Sequence, residues 1–306
     1  CSRPRVSAAS PDGALAMWWE LTLTGLLIGT LVGMTGMGGG SLMTPILILL
    51  FNFNPKVAVG TDILHGAIFK SFGAVQHRRL GNVHARLALW MLLGSAPMSL
   101  IGVQIASGFG PSAQDTMSRI VGGALIAGGI GFAIKTFLHP KVDDAPFLLR
   151  PRDRTIAIAL GVCGGFVVGL TSVGSGTFFG LVMLLAYPLT AQKIVGTDMT
   201  HAAMLLWVAG TSHLVHGNVD LHAMAWLLVG SIPGVIVGSR MSIRVPDRLL
   251  RVAFAVVLFL SGIKVVEVPG ADTIAVAGLA VALAGFGAWW VRSSFFAKPA
   301  PILEGK

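Results

Sequence analysis

Gly33-Met-Thr-Gly-Met-Gly-Gly-Gly-Ser41 interrupts a long apolar run, and Gly60-Thr-Asp-Ile-Leu-His65 follows some twenty residues later. Both recur 136 residues on, as Gly169-Leu-Thr-Ser-Val-Gly-Ser-Gly-Thr177 and Gly196-Thr-Asp-Met-Thr-His201. The alignment runs without a gap from Gly25/Gly161 to Ala106/Ser242, with 24 identities in 82 positions. Gly81-Asn-Val83/Gly217-Asn-Val219 and Pro97/Pro233 lie in the same register. Shared leucines would arise between any two apolar helices; a shared Gly-Thr-Asp-x-x-His would not. The chain is a duplicated unit, with a period far beyond that of short solenoid repeats.

Composition supplies the solvent. Of 306 residues, 54% are hydrophobic and only 11% charged, and mean hydropathy is +0.79. Soluble domains carry roughly 25% charged residues, so the chain reads as an all-α integral membrane protein. The net charge of +9 implies no nucleic-acid partner, because the basic residues cluster between apolar spans as topology signals do. Two cysteines, Cys1 and Cys163, make neither a disulfide framework nor a zinc site, and Cys163 reads as a small packing residue. Residues 1–17 form a polar lead expected to be disordered, and Met17 opens the apolar sequence directly.

Span lengths give the architecture. Apolar sequence covers 18–51, cut by Gly38-Gly39-Gly40 into two pieces of about fourteen residues, then 57–77, 83–106 and 117–138. A polar connector at 139–154 leads to a second broken pair over 155–188, then 193–214, 219–242 and 248–266. One extra helix at 272–292 precedes a polar tail. The expected organisation is a repeat at 18–138, a cytoplasmic connector, a second repeat at 155–268, and an added segment at 269–306. Each repeat holds five segments, the first two forming a short broken or re-entrant hairpin. An odd count makes the second copy enter from the opposite side, as an inverted repeat. With the C-terminus cytoplasmic, fifteen basic residues fall on the cytoplasmic side against five outside, which obeys the positive-inside rule. The expected location is therefore the inner, cytoplasmic membrane.

Non-helical backbone within a bilayer must be buried in protein or line a wet cavity. A half-helix starting near Ser41 or Thr177 turns its unpaired N–H groups and positive dipole end inward, which suits an anion. The expected binding residues are Thr35, Gly38, Gly39, Gly40, Ser41 and Thr61, with Thr171, Gly174, Ser175, Gly176, Thr177 and Thr197 in the second copy. The plain alternative is that the glycines only permit close packing. Asp62 and His65 are three apart and share a helical face, as do Asp198 and His201. A carboxylate within a span is costly unless paired, wet or protonated, so these four are the expected proton-coupling residues; helix capping by Asp62 is the alternative. Their spacing matches no metal-ligand pattern, and neither metal nor cofactor is expected. Lys70, replaced by Leu206 in the second copy, is expected to snorkel toward the cytoplasm.

These motifs, with His-x-x-x-Gly-Asn-Val after them, resemble the TauE/SafE family of sulfite and organosulfonate exporters over residues 18–292. The resemblance implies a multi-pass inner-membrane permease for a small sulfur-containing anion, driven by protons or membrane potential, and leaves a homodimer open. A passive anion channel and an intramembrane Asp/His enzyme are the competing readings; the enzyme is weakened by the duplication, since catalysis seldom needs each group twice. Between the two aspartates, Asp198 is the expected coupling carboxylate and His201 its partner, because Lys70 could hold Asp62 ionised and has no counterpart in the second copy.

Overall fold

Proline and glycine punctuate this chain where its helices start and stop. The computed structural model describes residues 11–35, 40–110, 114–137, 149–173 and 178–241, with 255–256, 258–263, 265–266, 270 and 273 beyond them. The described residues of 11–241 form nine helices: α1 (Pro11–Thr35), α2 (Gly40–Leu49), α3 (Pro55–Arg79), α4 (Ala85–Gly108), α5 (Gln114–Phe137), α6 (Pro151–Thr171), α7 (Phe178–Ala186), α8 (Ala191–Val215) and α9 (Leu221–Met241). Pro55 and Pro151 occupy first-turn positions, where the missing N–H costs nothing. Asn54 and Thr190 cap α3 and α8 by accepting from the Lys56 and Lys193 amides at 3.0 and 3.3 Å. Gly81 and Gly217 follow the ends of those helices at φ 71° and 70°, the left-handed conformation that glycine adopts without penalty. The repeated Gly-Asn-Val is thus a helix terminator.

Among the described residues, Ala85–Gly108, Pro151–Thr171 and Leu221–Gly238 are long and apolar enough to cross a membrane. α2 starts at Gly40 and α7 at Phe178, each within a residue of the half-helix start expected near Ser41 and Thr177. The two pieces of each pair are unequal, however. α1 and α6 have 25 and 21 residues, while α2 and α7 have 10 and 9. At 1.5 Å per residue the first of each pair has the length of a crossing and the second reaches only about 15 Å. The helix also starts at Pro11, inside the segment read as a lead, and α6 takes in residues 151–154 of the expected connector. The expected helix at 272–292 lies outside the described residues.

The two copies are interwoven. α1 packs along α9 and α4 along α6, while α3 and α8 pack on each other. Any side chain at Gly25 would collide with the Leu227 carbonyl, and any at Gly161 with the Met91 carbonyl, 136 residues apart on both sides. Gly29 and Gly165 repeat this against Ser231 and Ser95; Gly94 and Gly230 against Ile158 and Thr22. Residue numbers rise together in these pairs, so α1 and α9 run parallel, as do α4 and α6. Close backbone approach through small residues drives helix association where lipid removes the hydrophobic incentive. In α3 and α8 the numbers run oppositely: Gly66 meets Leu206, Gly73 meets Met199, and Gly210 meets Leu64. These antiparallel contacts converge on Ile68 and Met204, themselves symmetry partners. Gly122 and Gly129 of α5 meet residues 262 and 255 with the same reversed sense.

Two expectations fail here. Lys70 is fully buried, because its face of α3 is turned onto α8 instead of toward an aqueous end. Cys163 is exposed, because the opposite face of α6, carrying Gly161 and Gly165, is the one pressed on α4.

Candidate functional site

The Gly-Thr-Asp motif divides its labour. At Gly60 and Gly196 a Cβ would strike the carbonyls of Asn218 and Asn82 in the other copy; glycine here makes room for the opposite loop. Thr61 Oγ1 accepts the Asp220 amide at 2.9 Å, and Thr197 Oγ1 accepts the His84 amide at 2.9 Å. Those amides open α9 and α4, where a helix leaves N–H groups without internal partners. The two threonines, expected to meet an anion, are engaged with the loops of the other repeat.

The aspartates turn into the core. Asp62 Oδ2 accepts from Thr44 Oγ1 at 2.5 Å and from Ser172 Oγ at 2.9 Å. Thr44 comes from α2. Ser172 ends α6 in a left-handed conformation, φ 62°, directly at the second break. Sequence reading missed both hydroxyls, and a position-by-position comparison explains why: their counterparts are Gly180 and Gly36. Asp62 therefore sits in a hydroxyl cradle whose equivalent positions in the other copy hold glycine. Asp62 Oδ1 has no hydrogen-bond partner among the described residues.

Lys70 redresses this difference. Its ammonium lies within electrostatic reach of both carboxylates. Helix geometry says which is nearer. The antiparallel crossing at Ile68/Met204 puts Asp198 level with position 74 of α3, one turn or about 6 Å from Lys70, while Asp62 is two turns or about 12 Å away. The premise that favoured Asp198 as the carboxylate without a cation does not hold. Nor do the aspartates form a close dyad: each lies six residues before the crossing, about 9 Å to opposite sides of it.

The histidines reach across the copies. His65 Nε2 bonds Ser231 Oγ at 2.8 Å, and His201 Nε2 bonds Ser95 Oγ at 2.9 Å. His65 packs on Phe69 and His201 on Phe179, with ring centroids 4.8 and 4.5 Å apart. Among the described residues, His201 pairs with Ser95 in place of the expected Asp198. Both Nδ1 atoms lack a partner among the described residues. Of the break residues, Thr171 Oγ1 donates to the Val167 carbonyl at 2.8 Å, and Gly40 opens α2. Gly38, Gly39, Gly174, Ser175, Gly176 and Thr177 lie outside the described residues, as do the side chains of Thr35 and Ser41. A separate cleft of about 480 Å³ between α3 and α9, lined by Ser71, Gln76 and Arg79 among others, touches none of the expected site residues that are described.

A helical membrane protein with a buried Asp–Lys–Asp array at the crossing of its central helices belongs among the transporters, and similar proteins bear the same description. Residues 21–265 match the model of the sulfite exporter TauE/SafE family; the chain is a member of that family. It is 37% identical over 252 residues to the probable membrane transporter protein YjnA of Bacillus subtilis, covering 81% of this chain and 99% of that one. YdhB of the same organism, also a probable membrane transporter protein, is 27% identical over 79% of this chain and 98% of its own. A probable membrane transporter protein of Methanocaldococcus jannaschii, MJ0441, is 23% identical over 79% and 93%. No solved structure matches.

Proposed function

We propose that this chain is an inner-membrane secondary transporter that exports sulfite or a small organosulfonate, coupled to protons or to membrane potential. The observation that carries this is Lys70, a fully buried cation set between two buried carboxylates at the crossing of α3 and α8. An intramembrane ionisable residue marks an ion or substrate path by default. A sulfonate or sulfite entering beside Ser172 would take over the hydroxyls that serve Asp62 Oδ2, and the half-helix termini would add N–H donors. The Asp62 carboxylate so displaced then takes up a proton, which links anion to proton movement.

Asp62 is the better carrier of that proton. Its partners are hydroxyls, which donate to a carboxylate and accept from an acid with equal ease. Asp198, closer to Lys70 along the helix, is the structural member. This reverses the assignment made from sequence. The opposed directions of α3 and α8, with parallel α1/α9 and α4/α6, support an inverted repeat whose two-fold axis lies in the membrane plane. Thr61 and Thr197 hold loops in this scheme, and the histidines tie the repeats together.

Proteoliposome transport of sulfite, sulfoacetate, taurine and sulfate, with and without a pH gradient, tests the reading. Saturable sulfite or sulfonate movement that responds to the gradient is expected, and Asp62→Asn should keep anion binding while losing that response. Transport of none of these anions refutes the substrate class. Rapid transport that no gradient alters identifies a passive channel.

A further inference from the structure

We propose that the groove between the starts of α4 and α6 is a binding site for an anionic phospholipid, with its phosphate at Arg86 and Arg154 and an acyl chain along α4. A cup of about 380 Å³ is lined by His84, Arg86, Trp90, Leu149 and Arg154 among others. It shares Arg86 and Trp90 with an apolar trough of about 590 Å³ formed by Leu89, Leu92, Leu93, Ala96 and Pro97. A charged cup that opens into an apolar trough matches a headgroup joined to a hydrocarbon chain. A free anion would use the cup alone.

The charge is placed against local preference. Both arginines stand in the first turn of their helices, where the dipole is positive and cations are disfavoured. Asp153, a nearby acid among the described residues, accepts from the Arg150 amide at 2.9 Å, which spends it on the helix cap. Arg154 lies over the Trp90 ring at 5.4 Å, an arrangement that fixes a guanidinium without neutralising it.

The duplication supplies an internal comparison. The equivalents of His84, Arg86, Trp90 and Arg154 are Asp220, His222, Trp226 and Trp18. There Trp18 stacks on Trp226 at 6.4 Å and meets His222 edge-on at 4.2 Å. The same scaffold position is thus filled by a guanidinium at one end and an indole at the other, with an acid replacing His84. Helix packing demands an aromatic at both places; only one end requires positive charge. Basic pockets between spans on the cytoplasmic side hold anionic headgroups in this manner.

The test is lipid titration of the purified, delipidated full chain in detergent, read by native mass spectrometry. Phosphatidylglycerol and phosphatidylcholine of equal chain length are compared. Phosphatidylglycerol should bind about 30-fold more tightly; Arg86→Gln or Arg154→Gln should weaken it about 5-fold each and the double variant about 30-fold, from the usual worth of one basic side chain at an anionic surface. Phosphatidylcholine binding and the Arg119→Gln control should not change. Both arginines are exposed, so folding is expected to survive, and the two-lipid comparison on the unaltered chain needs no variant. Equal binding of the two lipids overturns the proposal, as does a preference that persists in the double variant. Displacement of phosphatidylglycerol by an equal concentration of inorganic phosphate would instead make the cup an anion vestibule.

Discussion

Replacing Lys70 with leucine gives α3 the residue that α8 already carries at Leu206, and the result should be a less stable protein. Lys70 is fully buried and interacts with Asp198 and Asp62. Removing one member of a buried ion pair leaves the other charge uncompensated, a loss of about 3–5 kcal/mol, whereas replacing both members is close to neutral. Asp62 keeps its Thr44 and Ser172 hydroxyls in the variant, so the penalty falls on Asp198. Lys70→Leu should therefore lower the melting temperature in detergent by roughly 5–10 °C, taking about 2 °C per kcal/mol for a chain of this size. Adding Asp198→Asn should restore most of the loss; adding Asp62→Asn should restore little. The four-membered cycle isolates the pair, as coupling between neighbouring sites requires. A Lys70→Leu protein as stable as the parent would refute the pairing. So would a rescue by Asp62→Asn that matched the rescue by Asp198→Asn.

Gly161→Val should block the α4/α6 approach at the Met91 carbonyl and abolish accumulation of folded protein, while Gly123→Ala, with open space around it, should leave yield and melting unchanged. Ser231→Ala should cost about 1–3 kcal/mol, because it strands the buried His65 Nε2; Ser95→Ala should match it through His201, and unequal losses would deny the symmetry of the two contacts. Gly39→Val or Gly174→Val should end transport in a protein that still inserts, and unchanged transport would leave the breaks as packing features. Single cysteines at 78–82 and 215–218, in a background lacking Cys1 and Cys163, should label from outside only at the second loop; equal labelling in intact cells would end the inverted arrangement.

The fold was legible in the sequence because a duplication compares itself. Twenty-four shared residues located both breaks, the terminating Gly-Asn-Val and the paired aspartates. Partner choice was not legible, since a glycine stripe on α1 does not say whether it will meet its own copy's α4 or the other's α9. That choice decides the site. Once α3 crosses α8 in the opposed sense, Lys70 moves next to the carboxylate that had looked bare. The Asp62 cradle was invisible for a related reason: attention to positions the copies share passes over Thr44 and Ser172, where they differ. Cys163 was misplaced because span hydropathy carries no information about which side of a helix meets protein and which meets lipid.

The interwoven pairing of α1 with α9 sets a timetable for biogenesis. Thr22 donates to the Trp226 carbonyl across 204 residues of chain, so α1 leaves the ribosome long before the helix it packs on. At roughly 5–20 residues per second, α1 spends about 10–40 s in or beside the translocon with its glycine face uncovered. Over that interval the newborn helix is open to capture by any other small-residue helix in the membrane. A gene split within the 139–154 connector removes the fixed order, and both halves must then find each other before either has a mate.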